Sequence, residues 1–149
     1  MSCAILVVDD DPDFIELVQS VLQADGYEVV GCTNSGIALE TARSSHPVLI
    51  FLDLFMPQPT GWDILRDLRE DPLFVSTPVL VVSAMDAEDA LASRGQAANF
   101  DPGPIDSLPK PFEIDELIMR VRELLPRDAA ILQSAESNDP NTSVTRLVG

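Results

Sequence analysis

Phe51-Leu52-Asp53-Leu54-Phe55-Met56-Pro57 closes an apolar run that begins at Val48, and it places one carboxylate directly after that run. The run at residues 48–52 is too short for a buried helix and is typical of a strand that is buried on both faces. The proline that follows favours a loop over a continued strand. This stretch therefore predicts a central strand with Asp53 at its carboxyl end.

Four other segments are also predicted to be short strands, of which the fifth in chain order is minimal, and segments of helical periodicity alternate with all five. The strand-like runs lie at residues 4–8, 27–32, 78–82 and 105–108, and the helical segments at residues 12–25, 36–45, 60–71, 86–94 and 113–125. Strands that alternate with helices predict a parallel sheet covered by helices on both faces. We therefore expect an α/β fold with a doubly wound, five-stranded parallel sheet.

The helical period also predicts which side chains face the sheet. The inward positions are Phe14, Leu17, Val18, Val21 and Leu22 in the first helix, Ile37, Ala38 and Ala42 in the second, Ile64, Leu65 and Leu68 in the third, and Ile114, Leu117, Ile118, Val121 and Leu124 or Leu125 in the last. Polar caps mark three helix starts, namely Asp11 before Pro12, Ser35, and Thr60 with Asp63 as a capping box.

Length and composition favour one globular domain. The chain has 149 residues, of which 46% are hydrophobic, and this is enough for a core of ordinary size. We expect the domain at residues 1–126, because residues 127–149 are rich in small polar residues and predict a mobile tail. No apolar run approaches the ~18 residues of a membrane span, and no basic segment precedes the first run. We therefore expect no membrane contact and a cytoplasmic location.

The charge of the chain restricts the classes of direct partner. A formal net charge of −16 argues against nucleic acid or an anionic membrane, because both select for clustered Lys and Arg. Cations and basic protein surfaces are favoured instead. Cys3 and Cys32 lie in or beside apolar runs without metal-ligand spacing, and we interpret them as small buried thiols.

Polar side chains follow four of the five predicted strands. Asp9 and Asp10 follow the first strand, Asp53 the third and Ser83 the fourth, and Lys110 comes two residues after the fifth. Ligands of parallel sheets bind beyond the carboxyl ends of the strands, where the strand order switches. We therefore expect these five side chains to converge at one edge of the sheet.

The chemistry of these residues indicates phosphoryl transfer. Three carboxylates in one place repel one another, so that either one pKa rises or a cation is bound, and Mg²⁺ prefers such oxygen ligands. A metal held by carboxylates, with a lysine and a hydroxyl nearby, supplies the positioning and charge neutralisation that phosphoryl transfer needs. Asp53 is then the candidate nucleophile.

Four motifs carry a resemblance to a known family. They are Val7-Val8-Asp9-Asp10, Asp53-Leu54-Phe55-Met56-Pro57 followed by Gly61, Val81-Val82-Ser83-Ala84, and Lys110-Pro111-Phe112. Their order and placement resemble the receiver domain of two-component response regulators, here of a stand-alone type. The resemblance covers residues 4 to about 125.

The resemblance implies a fold, a reaction and a role for each residue. The sheet would be flavodoxin-like, with the strand order 2-1-3-4-5. Asp53 would accept a phosphoryl group from a histidine kinase or a histidine phosphotransfer protein, Ser83 would donate a hydrogen bond to that group, and Lys110 would pair with it. Mg²⁺ would be held directly by Asp10 and Asp53, through water by Asp9, and by the backbone carbonyl of Phe55. The bond before Pro111 is usually cis in this family. A downstream protein partner and a homodimer are also implied.

The chain departs from the family pattern in three places. Lys110 follows Ser83 by 27 positions, which is longer than usual, and the extra length falls in the Pro- and Gly-rich residues 95–104. Ser107 stands where the family usually has a switching Tyr or Phe, and Phe100 is the candidate replacement. Phe55 and Met85 stand where acid or amide side chains of some relatives orient the attacking water, so we expect slow loss of phosphate. Beyond this self-catalysed chemistry we expect no enzyme activity.

Two other functions remain open on sequence grounds. A pseudo-receiver scaffold would bind partners without phosphorylation, although the complete acidic, hydroxyl and lysine set argues against it. A phosphatase similar to the haloacid dehalogenases would need a second aspartate where Phe55 stands. Three further residues are given structural interpretations: Asp11 as a helix cap, His46 as a helix-terminal or surface residue, and Trp62 as a packing residue.

Overall fold

The computed structural model describes residues 4–57, 59–83 and 103–125. In chain order the elements are β1 (Ala4–Val8), α1 (Pro12–Ala24), β2 (Glu28–Cys32), a 3₁₀ helix (Ser35–Ile37), α2 (Ala38–Ser45), β3 (Leu49–Leu52), α3 (Gly61–Glu70), β4 (Val79–Ser83), β5 (Ile105–Pro109) and α4 (Ile114–Leu124). The predicted helix at residues 86–94, the predicted tail at residues 127–149, Cys3, Met85 and Phe100 lie outside the described residues. None of the helices in the described ranges has the length and apolar character needed to cross a membrane.

The five strands form one parallel sheet in the order β2-β1-β3-β4-β5. This confirms the doubly wound flavodoxin-like fold with order 2-1-3-4-5. Every residue of β1, β3 and β4 is buried, whereas the edge strands β2 and β5 include exposed or half-buried positions. Continuous apolar runs are thus found in the strands that are covered on both faces, as expected for a parallel sheet.

Among the residues that the structure describes, the core consists of two clusters, one on each face of the sheet. Alternate residues of β1 and β3 separate into the two clusters, so that Leu6 and Ile50 pack with α2 and α3. Ile5 and Phe51 pack with α1 and α4. This separation follows from the period of two along a strand. Cys32 is a buried free thiol in the first cluster, and Trp62 packs against the same cluster.

Two of the three predicted helix caps are confirmed. The Asp11 side chain accepts a hydrogen bond from the Asp13 N–H at 3.0 Å, and Pro12 occupies the first turn of α1. Thr60 and Asp63 form both bonds of the capping box at the start of α3. The strong hydrogen bonds that Asp63 accepts from Thr60 lower its pKa.

The prediction that Ser35 caps the second helix is wrong. Asn34 accepts the bond from the Gly36 N–H at 2.9 Å and thereby opens a 3₁₀ helix, and α2 begins only at Ala38 without a side-chain cap. An asparagine side chain can bond to the backbone two residues on, and this turn displaces the helix start toward the carboxyl terminus. His46 ends α2 in the left-handed conformation, with φ 50°, which agrees with a helix-terminal role.

Three predicted inward side chains are exposed. Leu17 is 43% exposed, Ile37 46% and Ile114 46%. In α1 the buried stripe includes Ile15 in place of Leu17, which shifts the inward face by part of a turn. Ile37 belongs to the 3₁₀ helix, and Ile114 is the first residue of α4, so neither follows the helical period from which its burial was predicted.

Arg69 ties the end of α3 to the beginning of β5. Its side chain is only 9% exposed, and its guanidinium group donates hydrogen bonds to the carbonyls of Phe74 at 2.8 Å, Thr77 at 2.7 Å and Pro104 at 2.8 Å. Gly103 has φ +70°, and a Cβ atom there would lie 2.6 Å from Arg69 Nε. Gly103 and Pro104, which directly precede β5, therefore lie against a largely buried arginine.

Arg69→Met is expected to lower the free energy of unfolding by about 2–3 kcal/mol, because one buried and two partly buried hydrogen bonds to carbonyls lose their charged donor. Urea unfolding of wild type and variant measures this loss. Arg66→Met is the matched control, since Arg66 lies on the same helix with a side chain that is 56% exposed and forms a surface ion pair with Asp63. Equal losses in the two variants would show that the buried bonds of Arg69 add nothing.

Candidate functional site

Three carboxylates meet where the neighbouring strands β1 and β3 end. The Asp9 N–H donates to the Cys32 carbonyl at 3.1 Å, and the Asp53 N–H donates to the Val8 carbonyl at 3.1 Å. These bonds continue the strand ladders by one residue and fix both side chains at the carboxyl edge. Asp9, Asp10 and Asp53 each offer a carboxylate oxygen, and these oxygens lie within 4.8 Å of one another. The predicted convergence of the acids is thus present.

The three acids differ in burial and in hydrogen bonding. Asp9 is 1% exposed, Asp10 is exposed, and the Asp53 side chain is 12% exposed. Burial raises the pKa of Asp9, although the Lys110 ammonium group and the Asp11 N–H, which donates at 2.9 Å, both oppose the rise. A buried carboxylate whose charge is incompletely neutralised, beside two further acids, suits the binding of a hard cation.

Lys110 follows β5, which pairs with β4, and its side chain extends toward the acids. Its N–H donates to the Ser83 carbonyl at 2.8 Å, which aligns the segment after β5 with the end of β4. The ammonium nitrogen lies 2.8 Å from Asp9 Oδ2 and 3.9 Å from Asp53 Oδ2. The peptide bond between Lys110 and Pro111 is cis, as the resemblance implies.

Ser83 presents a buried hydroxyl at the end of β4. The residue is 1% exposed, and its Oγ atom has no hydrogen-bond partner among the described residues. A buried hydroxyl without a partner costs free energy, so this hydroxyl is available to bind a ligand or a water molecule. Since β4 pairs with β3, this hydroxyl belongs to the same edge as Asp53.

The loop after β3 orients Asp53. Asp53 Oδ1 accepts a hydrogen bond from the Phe55 N–H at 3.0 Å, whereas Oδ2 faces Lys110. The Phe55 side chain is 43% exposed, and the predicted role of its carbonyl as a metal ligand stays a prediction. Gly61 begins α3 and donates its N–H to the Leu54 carbonyl at 3.2 Å, so that the helix start packs directly on this loop.

Ser107, at the predicted switch position, lies in an environment that differs from that of the three acids. Ser107 lies in β5 and is half-buried, and its carbonyl accepts a hydrogen bond from Arg120 at 2.8 Å. Arg120 also forms an ion pair with Asp106 at 2.9 Å. Because Phe100 lies outside the described residues, its replacement of the missing aromatic stays a prediction.

A groove of about 620 Å³ lies at the opposite end of the sheet. Its lining includes Val48, Pro78 and Pro104, which directly precede β3, β4 and β5, together with the apolar side chains of Leu73 and Val75. None of the five predicted site side chains contributes to it. The acidic site and this groove therefore occupy opposite ends of the strands.

Comparison with known families agrees with the fold. A family model described as the response regulator receiver domain matches residues 5–122. The chain belongs to this family. The match begins in β1 and ends within α4, so it includes every element that contributes to the acidic site of this receiver domain.

Curated relatives of this receiver domain are longer proteins. The DNA-binding dual master transcriptional regulator RpaA of Synechocystis is 34% identical over 91% of this chain and 54% of its own length. The response regulator MprA of Mycobacterium tuberculosis is 39% identical over 87% of this chain and 55% of its own length. The chain thus spans about half the length of these relatives.

Solved structures resemble the receiver domain over their whole length or nearly so. The chemotaxis protein CheY4 of Vibrio cholerae has a TM-score of 0.74 at 26% identity, covering 84% of this chain and 100% of its own. A receiver domain from Bermanella marisrubri has a TM-score of 0.69 at 34% identity, covering 85% and 100%. The response regulator TrrA of Thermotoga maritima, solved in complex with Mg²⁺ and BeF, has a TM-score of 0.68 at 29% identity, covering 83% and 99%.

One aromatic residue at the site of the receiver domain was not predicted to have a role there. Lys110 Nζ lies over the ring of Phe14, 4.2 Å from the ring centroid. The sequence assigns Phe14 only to the inward face of the first helix, where the structure indeed buries it. An aromatic residue close to the Asp9–Asp11 run was the available signal, but sequence periodicity does not show which buried rings meet a cation.

Proposed function

We propose that this receiver domain accepts a phosphoryl group from a phosphohistidine onto Asp53 and signals the change by protein contact. A bond forms between an Asp53 carboxylate oxygen and phosphorus, the phosphorus–nitrogen bond of the phosphohistidine breaks, and the departing imidazole takes up a proton. The donor is a histidine kinase or a histidine phosphotransfer protein. The observation that carries this proposal is the convergence of Asp9, Asp10 and Asp53 within 4.8 Å, beside Lys110.

Several groups around Asp53 would together neutralise the charge of the phosphoryl group. Asp10 and Asp53 would hold Mg²⁺ directly, Asp9 through water, and the Phe55 carbonyl would complete the protein ligands. Bound Mg²⁺ would supply charge neutralisation at the phosphoryl oxygens. The hard oxygen donors fit this ion, and the relative TrrA was solved with Mg²⁺ and BeF.

Lys110 and Ser83 would serve the other phosphoryl oxygens. The Lys110 ammonium group is already 3.9 Å from Asp53 Oδ2 and would pair with one oxygen of the group. The Ser83 hydroxyl, which is buried without a partner among the described residues, would donate a hydrogen bond to another oxygen. A preoriented donor of this kind is stabilising because it needs no reorganisation during the reaction.

The proposal extends to the bounds of the domain, its location and its direct partners. We place the receiver domain at residues 1–126, with residues 127–149 as a tail, in the cytoplasm and without membrane contact. Direct contact with nucleic acid is disfavoured by the net charge of −16, whereas RpaA is named as DNA-binding and matches this chain over 54% of its own length. The signal would pass to a downstream protein partner, or between two copies of the chain in a homodimer.

Incubation with acetyl phosphate and Mg²⁺ tests the proposal. We expect intact mass spectrometry to detect one phosphoryl increment on wild type and none on Asp53→Asn. Asp67→Asn is the matched control, because Asp67 is an exposed acid on α3, and it is expected to react like wild type. A wild-type chain that remains unmodified would favour the alternative, a pseudo-receiver scaffold that binds partners without phosphorylation.

The phosphorylated form is expected to lose its phosphate slowly, over minutes or longer. Phe55 is exposed beside Asp53 and offers no side-chain acid or amide to orient an attacking water. Phe55→Asn is expected to shorten the half-life severalfold, whereas Phe55→Leu should leave it unchanged. The decay of the phosphoryl increment after removal of acetyl phosphate measures both effects. A wild-type half-life of seconds would contradict this prediction.

A further inference from the structure

Phe14 provides an aromatic face for the ammonium group of Lys110. The nitrogen lies 4.2 Å from the ring centroid, well within the range of a cation–π contact. Phe14 is 9% exposed and the Lys110 side chain 23% exposed. Because both groups are largely removed from water, the attraction between cation and ring is stronger than at an exposed site.

The ring of Phe14 is itself held in place. Phe112 contacts it in a T-shaped arrangement, with ring centroids 6.0 Å apart and an interplanar angle of 84°. Such edge-to-face pairs are favourable beyond the area that they bury. Lys110 and Phe112 flank Pro111, so one ring on α1 contacts both side chains of this short segment. The segment that carries the lysine is therefore attached to α1 at two points.

This attachment matters because the lysine side chain is long and flexible. Asp9 Oδ2 binds the ammonium group at 2.8 Å, and Asp53 Oδ2 lies farther away at 3.9 Å. Both carboxylates face the ammonium group, whereas the four-carbon stem that carries it is flexible in lysine. The Phe14 face adds a third contact and so restricts the ammonium group to a position close to the Asp53 oxygen.

We propose that Phe14 is a positioning residue for phosphoryl transfer, which holds the Lys110 ammonium group beside Asp53 through the face of its ring. This inference rests on the proposed function of Asp53. A purely structural role would require only a side chain that fills the same volume. The proposed role also requires an aromatic ring with an electron-rich face.

The rate of phosphorylation by acetyl phosphate and Mg²⁺ tests the role of the ring. Phe14→Leu is expected to react about two- to tenfold more slowly than wild type, and Phe14→Tyr to retain most of the rate. Trifluorophenylalanine at position 14 keeps the shape and weakens the negative face, so its rate should fall toward that of Phe14→Leu. Phe74→Leu is the matched control, because Phe74 is 3% exposed and belongs to the core cluster on the other face of the sheet. A wild-type rate for the fluorinated protein would overturn the proposal.

A second measurement tests the placement of the lysine without phosphorylation. The ring current of Phe14 should shift the ε-methylene NMR resonance of Lys110 upfield in wild type, and this shift should disappear in Phe14→Leu and persist in Phe74→Leu. Lys110→Met identifies the resonance. An unchanged resonance in Phe14→Leu would overturn the inference even if Asp53 is phosphorylated. A wild-type chain that is not phosphorylated, but shows the shift, would instead overturn the proposed function.

Discussion

Gly61→Ala is expected to lower the free energy of unfolding by about 3 kcal/mol and to slow the proposed phosphorylation of Asp53 by more than about tenfold. A Cβ atom at position 61 would lie 2.1 Å from the Asp53 carbonyl oxygen and 2.4 Å from the Leu54 Cα. Both neighbours are backbone atoms, so the clash can be relieved only by moving the loop that carries Asp53. Urea unfolding and the rate of the phosphoryl mass increment measure the two losses.

The matched control for this prediction is Gly36→Ala. Gly36 lies in the 3₁₀ helix, and a Cβ atom there would meet only the Asn34 side-chain oxygen, at 3.1 Å. A side chain can adjust by a few tenths of an ångström, so we expect a change in stability within about 1 kcal/mol. If Gly61→Ala is as stable and as reactive as Gly36→Ala, the close approach of α3 to the Asp53 loop has no functional importance.

Asp9→Asn is expected to change stability and metal affinity in opposite directions. Without metal at pH 7, we expect the variant to be more stable than wild type by about 1 kcal/mol, because a buried charge among acids is removed. Its affinity for Mg²⁺ should fall by about tenfold or more, as expected for the loss of a partner that acts through water. Urea unfolding in EDTA and calorimetric titration with Mg²⁺ measure the two quantities.

The stability gained in Asp9→Asn should depend on pH. Burial raises the native pKa of Asp9 above its ordinary value of 3.8, so between these two values the native state binds more protons than the unfolded state. The wild type therefore loses stability as the pH rises through this window, and the cost is constant above it. The advantage of Asp9→Asn should be absent below pH 3.8, grow through the window and then reach a plateau.

Asp10→Asn serves as the control for this prediction. Asp10 is exposed, so its replacement should change the stability less than that of Asp9, although it also removes a predicted metal ligand. An Asp9→Asn variant that is less stable than wild type at pH 7 would contradict the prediction. An advantage that is the same at every pH would show that it does not come from the charge of Asp9.

The strands were predicted to within one residue at either end, and this success has a physical cause. Buried parallel strands need apolar residues on both faces, so β1, β3 and β4 are recognisable as short continuous runs. The inward faces of the helices were predicted less accurately. Ile37 and Ile114 were assigned to inward faces although both lie at helix starts, where the period of 3.6 does not yet decide burial. The Ser35 cap failed because Asn34 forms a competing turn with Gly36.

The convergence of the acids was predictable because parallel strands bring their carboxyl ends to one edge. The contacts around Arg69 and Phe14 were not predictable in the same way. Arg69 binds carbonyls that follow it by as many as 35 positions, and Phe14 contacts residues nearly a hundred positions away. No local pattern specifies such contacts, because they depend on how α1 and α3 pack against segments that arrive later in the chain.

By itself, the sequence determined the α/β architecture and the set of side chains that meet at one edge of the sheet. Both follow from local properties, namely apolar runs, helical periodicity and the polar residues that end the strands. Only the tertiary structure decided which acid is buried and what surrounds Lys110. Asp9 is 1% exposed whereas its neighbour Asp10 is exposed, because side chains of successive residues at the end of a strand point in opposite directions. Packing of α1 against the Lys110 segment then places an aromatic face beneath the cation.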